Sequence, residues 1–176
     1  MSNIKPAEGA AEPSFLPMQM TDLEDVLKIE SISHLHPWTR GNFSDSLAAG
    51  HWAYCVRPQA EQILKGSYLD PAALWAYCIL FPAVDELHLL NITVSPHLCK
   101  LGLGQRMMAA IEGVAFQQKM PRIILEVRPT NTAALALYQK LDYEQIGVRK
   151  NYYPVNPETG WREDALVLAK SIKLEA

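Results

Sequence analysis

One segment constrains this chain more than any other: a mostly apolar run ends in a turn with two glycines and continues as an amphipathic helix. The run is residues 86–94, and the turn is Val94-Ser95-Pro96-His97-Leu98-Cys99-Lys100-Leu101-Gly102-Leu103-Gly104-Gln105. Leu103, Met107, Met108, Ile111, Val114 and Ala115 then recur at helical spacing. A second apolar run at 122–128 and a second helical pattern at 131–141, with Ala133, Leu137 and Leu141 in register, follow directly. Strand, helix, strand in that order requires at least one parallel crossover, so the fold class is α/β with a mixed sheet of the α+β kind.

The flanking segments fit around that unit. Thr21-Asp22-Leu23-Glu24 has the Thr-x-x-Glu form of a capping box and leads into Leu23, Val26, Leu27 and Ile29, predicting a helix to about Ser33. After His36-Pro37-Trp38, Thr39 can cap a second helix carrying Phe43 and Leu47, stopped at Gly50. Trp-Ala-Tyr-Cys occurs at residues 52–55 and again at 75–78, in two β-prone runs best read as neighbouring strands of similar environment. The 57–73 connector between them is long, and its role is open. In the central run, strict alternation puts Leu87, Leu89, Asn91 and Thr93 on one face and His88, Leu90, Ile92 and Val94 on the other. Residues 143–150 and 165–172 read as two closing strands. Residues 1–17, with Pro6, Pro13 and Pro17 among Ala, Glu and Gly, read as a disordered tail, leaving one domain over 18–176.

Composition narrows the function classes. The 176 residues carry 16 Lys+Arg against 19 Asp+Glu, a net charge of −3 without a basic run, so direct nucleic-acid binding is not expected. No apolar stretch reaches the length of a membrane span, and the first twenty residues lack a signal-peptide core, so a cytoplasmic protein without a membrane partner is expected. Cys55, Cys78 and Cys99 have no CxxC spacing, and His34-x-His36 is the sole close histidine pair, so neither a disulfide framework nor a metal site is expected.

The glycine turn carries the chemistry. Gly102 and Gly104 let backbone N–H groups approach a ligand, and a helix N-terminus favours a phosphate or pyrophosphate. The turn lacks the Gly-Lys-Ser/Thr ending of a nucleotide-hydrolase loop and the third glycine of a dinucleotide fold. By itself, Gly-x-Gly is equally compatible with a tight turn that holds nothing.

Val94-x-Pro96 with Gly102 and Gly104 resembles the acetyl-coenzyme A signature of the Gcn5-related N-acetyltransferase (GNAT) superfamily. Leu125-Glu126-Val127-Arg128, Asn131, Ala136-Leu137-Tyr138 and Leu141-x-Tyr143 resemble the second half of its core. Asn91-Ile92-Thr93-Val94, Asn151-Tyr152-Tyr153-Pro154, Arg162-Glu163-Asp164-Ala165 and the early Pro37-Trp38 are similar to the RimI-type ribosomal-protein alanine N-acetyltransferases, over roughly residues 18–172. The resemblance implies a mostly antiparallel sheet of six to seven strands, with a parallel pair splayed at the acetyl-CoA site and about four flanking helices. It implies acetyl-CoA as co-substrate, held by the backbone of Ile92, Thr93 and Val94 and by Lys100, Leu101, Gly102, Leu103, Gly104, Gln105 and Asn131. It also implies Glu126 as general base and Tyr138 as general acid.

The residues' own readings stand beside these roles. Glu126 in an apolar strand needs a partner or a function, and Arg122 or Arg128 could pair with it. Tyr138 could be a core tyrosine, and Asn131 a helix N-cap. Cys99 departs from the family's Gln or Arg; it is either an inert small side chain or a thiol whose alkylation obstructs the pyrophosphate site. Cys55 and Cys78 sit in apolar strands where a thiolate is disfavoured, so direct transfer is expected rather than an acyl-enzyme. In the RimI branch the acceptor is the N-terminal alanine of the eighteenth small-subunit ribosomal protein. Trp38, Tyr152 and Tyr153 could wall a peptide groove, and Glu126, Glu163 and Asp164 would suit a basic N-terminus. The alternatives are transfer to a small-molecule amine or a lysine side chain, and a non-catalytic acyl-CoA-binding module, which would need the glycine turn but neither acid nor base.

Overall fold

Seven strands form one sheet in the order β1-β2-β3-β4-β5-β7-β6, described in a computed structural model for residues 14–58 and 74–174. The strands are β1 (Ser14–Pro17), β2 (Trp52–Arg57), β3 (Ala76–Pro82), β4 (Leu87–Val94), β5 (Arg122–Val127), β6 (Glu144–Arg149) and β7 (Ala165–Ser171). Four α-helices are found among the described residues: α1 (Leu23–Ser33), α2 (Arg40–Ala48), α3 (Leu103–Gln117) and α4 (Thr132–Lys140). Every strand pair is antiparallel except β4 with β5, which α3 joins as the expected parallel crossover. The two Trp-Ala-Tyr-Cys strands are antiparallel neighbours, Tyr54 opposite Cys78 and Cys55 opposite Tyr77.

Three sequence expectations are corrected. Residues 14–17 of the expected tail are strand β1, with Phe15 opposite Val56 and stacked on Tyr54 at 4.4 Å between ring centroids. The apolar Phe15-Leu16 pair gains a sheet edge to lie on, a local signal that averaging over a Pro-rich segment conceals. Residues 1–13 and the connector from residue 59 to 73 lie outside the described residues. The first helical segment opens earlier than its Thr21–Glu24 pattern predicts, as a 3-10 turn over Met20–Asp22, where the Gln19 N–H donates to Asp22 Oδ2 at 2.7 Å.

The third correction concerns β4. Ile79 pairs with Asn91 while Leu80 pairs with Leu89, so Leu90 is an extra residue on β4, a β-bulge. The bulge resets the alternation: Leu87, Leu89, Ile92 and Val94 face one apolar cluster, and Asn91 and Thr93 turn to the opposite side. Leu90 itself is exposed.

Each sheet face buries its own cluster. Met107, Met108 and Ile111 of α3 and Tyr138 of α4 pack against Leu87, Leu89, Ile123, Leu125 and Val127. On the other face Leu23, Val26 and Ile29 of α1 and Phe43 of α2 pack on Ala53, Cys55, Tyr77 and Ile79. Helix α2 (RGNFSDSLA) has weak intrinsic helix propensity. It is held by fully buried Phe43 and by Thr39, whose hydroxyl accepts from the Asn42 N–H at 3.3 Å, as its sequence predicts. Burying a side chain of that size contributes about 1.5–3 kcal/mol, more than the helix's propensity deficit.

Candidate active site

The parallel pair is in register at three positions only, from Leu87↔Ile123 to Leu89↔Leu125. Beyond them β4 stays on β3 as far as Val94, and β5 stays on β7 as far as Val127. The two strands therefore part, leaving backbone polar groups of β4 beyond Leu89 without a β5 partner. A cavity of about 420 Å³ occupies the gap. Leu125, Val127, Ala134 and Tyr138 line it from the α3–α4 side, whereas Glu30, His34 and Trp38 come from α1 and the segment after it.

Of the sequence-predicted residues, Glu126, Tyr138, Ile92, Asn131, Trp38, Tyr152 and Tyr153 all line this one cavity. Asn131 caps α4, its Oδ1 accepting from the Ala134 N–H at 3.1 Å, so the N-cap reading holds while the residue still faces the cavity. Thr93, paired with Tyr77 in the sheet, turns its buried hydroxyl to His34 and does not line the cavity. Val94 packs toward the α3–α4 cluster. Lys100, Leu101, Gly102, Leu103, Gly104 and Gln105 stand past the end of β4, where α3 begins. There Gly102 is the N-cap with φ of +79°, and no side chain caps the helix, so the first-turn N–H groups remain available to a ligand. Lys100 is also left-handed at φ 65°. Gly104 permits close helix packing, since a Cβ there would meet Leu137 Cδ2 at 3.3 Å. Gln105 Oε1 accepts from Lys140 Nζ at 3.1 Å, tying α3 to α4. Cys99 is exposed, its thiol directed to the Ser95 carbonyl oxygen at 3.7 Å.

Neither arginine suggested as the partner of Glu126 pairs with it. Arg149 of β6 does, Nε to Oε1 at 2.7 Å. Arg122 instead reaches Glu86 at 3.3 Å, and Arg128 reaches Glu163 at 3.0 Å while lying over the Tyr153 ring. Burial pushes the Tyr138 phenol well above its ordinary value, with Tyr153 adding to the effect, so the hydroxyl keeps its proton. Tyr152 is pushed up by burial and by the Glu126 carboxylate beside it. Tyr153 rises to about 12, chiefly from burial. Burial likewise raises the thiols of Cys55, to about 12, and Cys78, which disfavours either as a nucleophile.

The acidic pair Glu163 and Asp164, expected to attract a basic peptide, is committed within the protein. Glu163 accepts from Arg128, from the Thr130 N–H at 3.0 Å and from the Thr130 hydroxyl at 2.7 Å. Asp164 accepts from Lys150 Nζ at 2.7 Å and from the Asn151 N–H at 2.8 Å. Arg162 donates to the carbonyls of Tyr153 and Tyr152. These bonds pin the β6–β7 loop and set the tyrosine pair, edge to face at 5.3 Å, against the cavity.

One part of the site has no counterpart in the sequence reading. Glu30 on α1 is almost completely buried yet fully served: Oε1 accepts from the Trp38 N–H at 2.7 Å and from Asn91 Nδ2 at 3.4 Å, and Oε2 accepts from the Tyr77 hydroxyl and lies 3.2 Å from His34 Nε2. Its place in the stripe Leu23, Val26, Ile29, Glu30 was the available signal, a carboxylate on a core-facing helical face.

A splayed parallel pair thus stands with a glycine-started helix at its open end, and a carboxylate and a phenol line the gap. The chain belongs to the acetyltransferase (GNAT) family, whose model matches residues 23–143. It is 30% identical over 157 residues to the [ribosomal protein bS18]-alanine N-acetyltransferase of Escherichia coli strain K12, covering 89% of this chain and 96% of the relative. A similarly named protein of Haemophilus ducreyi is 30% identical over 148 residues, covering 84% and 92% respectively. The crystal structure of the ribosomal-protein-S18-alanine N-acetyltransferase from Escherichia coli superposes with a TM-score of 0.78 at 27% identity, covering 94% of this chain and 97% of that one. Among the described residues no helix is long and apolar enough to cross a membrane.

Proposed function

We propose that this chain transfers the acetyl group of acetyl-CoA to the N-terminal α-amino group of a protein in the cytoplasm, its acceptor being the N-terminal alanine of ribosomal protein bS18. The observation that carries this reading is the cavity at the strand split, which Glu126 and Tyr138 both line. The names of the relatives support the acceptor.

The co-substrate fits the residues present. The uncapped first turn of α3, with Gly102 before it and Lys100 nearby, suits the pyrophosphate, and the parted edge of β4 from Ile92 to Val94 offers backbone groups to the pantetheine and the thioester carbonyl. Asn131, at the cavity wall, is a further contact. An α-ammonium titrates at about 7.7–8.0, so Glu126 needs to take only one weakly held proton to free the lone pair. Attack on the thioester carbon gives a tetrahedral intermediate. Its collapse breaks the C–S bond, and Tyr138, held neutral by burial, gives the leaving sulfur its proton.

Intact-mass detection of acetyl transfer tests the reading. Transfer to a free N-terminal alanine peptide, and none to the same peptide N-blocked but carrying lysines, is the expected result; transfer to the lysines alone overturns it. Tyr152→Ala is expected to raise the KM of the peptide about fivefold, the worth of one aromatic contact of about 1 kcal/mol, and to leave that of acetyl-CoA unchanged. An unchanged peptide KM would remove Tyr152 from the acceptor groove. Gly102→Ala is expected to do the reverse. The left-handed backbone strains any side chain by about 1–2 kcal/mol although space is open around it, so the turn shifts and the KM of acetyl-CoA rises while that of the peptide does not.

A further inference from the structure

Acetylation of an ammonium releases one proton per turnover: R–NH₃⁺ and acetyl-CoA give R–NH–acetyl, CoA–SH and H⁺. The nitrogen loses two protons, and the thiolate sulfur takes up the equivalent of one, by way of Tyr138. The other must leave the cavity. Glu126, where it first lands, is held against Arg149 and has to be emptied before the next cycle.

His34 is built to receive it. Its Nε2 lies 2.7 Å from Thr93 Oγ1 and 3.2 Å from Glu30 Oε2. Thr93 Oγ1 in turn donates to Asn91 Oδ1 at 3.3 Å, and Asn91 Nδ2 donates to Glu30 Oε1 at 3.4 Å. This ring of bonds closes with every donor matched when Nε2 carries a hydrogen, which makes Nδ1 the basic nitrogen. A buried carboxylate behind an imidazole fixes its tautomer and orients the ring. The His34 side chain lines the cavity and is also 37% exposed, so it meets both cavity and solvent.

Of the other titratable and charged groups facing this space, the arginine and the phenols are committed. The Tyr77 phenol of β3 is pushed far up by burial and by Glu30. Arg128 pairs with Glu163, and the phenols of Tyr138, Tyr152 and Tyr153 are all raised. His36, in the segment after α1, also lines the cavity, and its buried Nε2 has no hydrogen-bond partner among the described residues.

Resting on the transfer reading above, we propose that His34, backed by Glu30, is the relay that carries the released proton out of the cavity. The proton passes from Glu126 through cavity water to Nδ1, forming the imidazolium. The same Nδ1–H bond then breaks to solvent, and Nε2–H stays with its partners throughout.

His34→Ala is the test, read by kcat, its pH profile and exogenous buffer. A loss of kcat of about 10- to 100-fold with acetyl-CoA affinity unchanged, restored by added imidazole, is expected, at or below the low end of the roughly 10²- to 10⁴-fold that a positioned base contributes, since the relay acts after the base. Glu30→Gln, which takes the carboxylate from behind the ring, should lower kcat in the same sense, again with restoration by added imidazole, whereas a role of Glu30 in packing alone would leave no imidazole response. An unaltered kcat in His34→Ala, or a loss that imidazole does not restore, overturns the relay. Wild-type protein that binds acetyl-CoA without turnover would overturn the transfer reading and the relay together, whereas normal turnover with an unrestored loss overturns the relay alone.

Discussion

Glu126→Gln is expected to lower kcat for acetyl transfer by about 10²- to 10⁴-fold, the usual contribution of a positioned base, while acetyl-CoA binding is unchanged. The substitution conserves shape and removes only the ability to accept a proton. It also takes a charge from Arg149, but that arginine is 55% exposed, and an ion pair so open to water is worth at most about 1 kcal/mol. The fold therefore survives, and the loss reads as chemistry. Initial rates against peptide concentration, with coenzyme affinity measured by calorimetry, separate the two. A kcat within a few-fold of wild type would dismiss Glu126 as the base.

Glu30→Ala is expected to act on stability. Removing the carboxylate strands the Tyr77 hydroxyl, the Trp38 N–H and the Asn91 amide in the interior, and breaking a buried polar set by deleting its hub costs about 3–5 kcal/mol. For a chain of this size that lowers Tm by roughly 6–20 °C. Denaturant midpoints at constant m would measure it, and a change under about 1 kcal/mol would mean that water replaces the lost partner. Glu30→Gln, which keeps two acceptor sites on its amide oxygen, should cost less.

The two results bear on how much of this molecule was legible in its sequence. Helices α2 and α4 were, because cap and period coincide there: Thr39 and Asn131 both accept from the N–H three residues on, while α3 was legible from its period and the glycine turn before it. The cavity was legible through Glu126 and Tyr138, residues whose types are uncommon in their settings, and the glycine turn was legible as a separate feature that stands past the end of β4 and does not line the cavity. What escaped is pairwise and distant. Arg149 is 23 positions after Glu126 and meets it only because β7 lies between β5 and β6. The bulge at Leu90 escaped because an alternating pattern of apolar residues reads smoothly through an inserted one. Glu30 escaped because a carboxylate beside Ile29 looks like the solvent edge of a helix until Trp38, Tyr77 and Asn91 are brought around it.

The cavity has a consequence for how such a chain can diverge. On the proposed reading its acceptor side is the wall supplied by two loops far apart in sequence, one after α1 and the other between β6 and β7, and the second is pinned through Glu163, Asp164 and Arg162 rather than through the sheet. The glycine turn and the end of β4 belong to neither. If the proposed reading holds, exchanges at Leu35, Trp38, Tyr152 or Tyr153 would rewrite which amine is admitted while the donor half is inherited intact, and drift toward new acceptors would not pass through forms that have lost their acetyl donor.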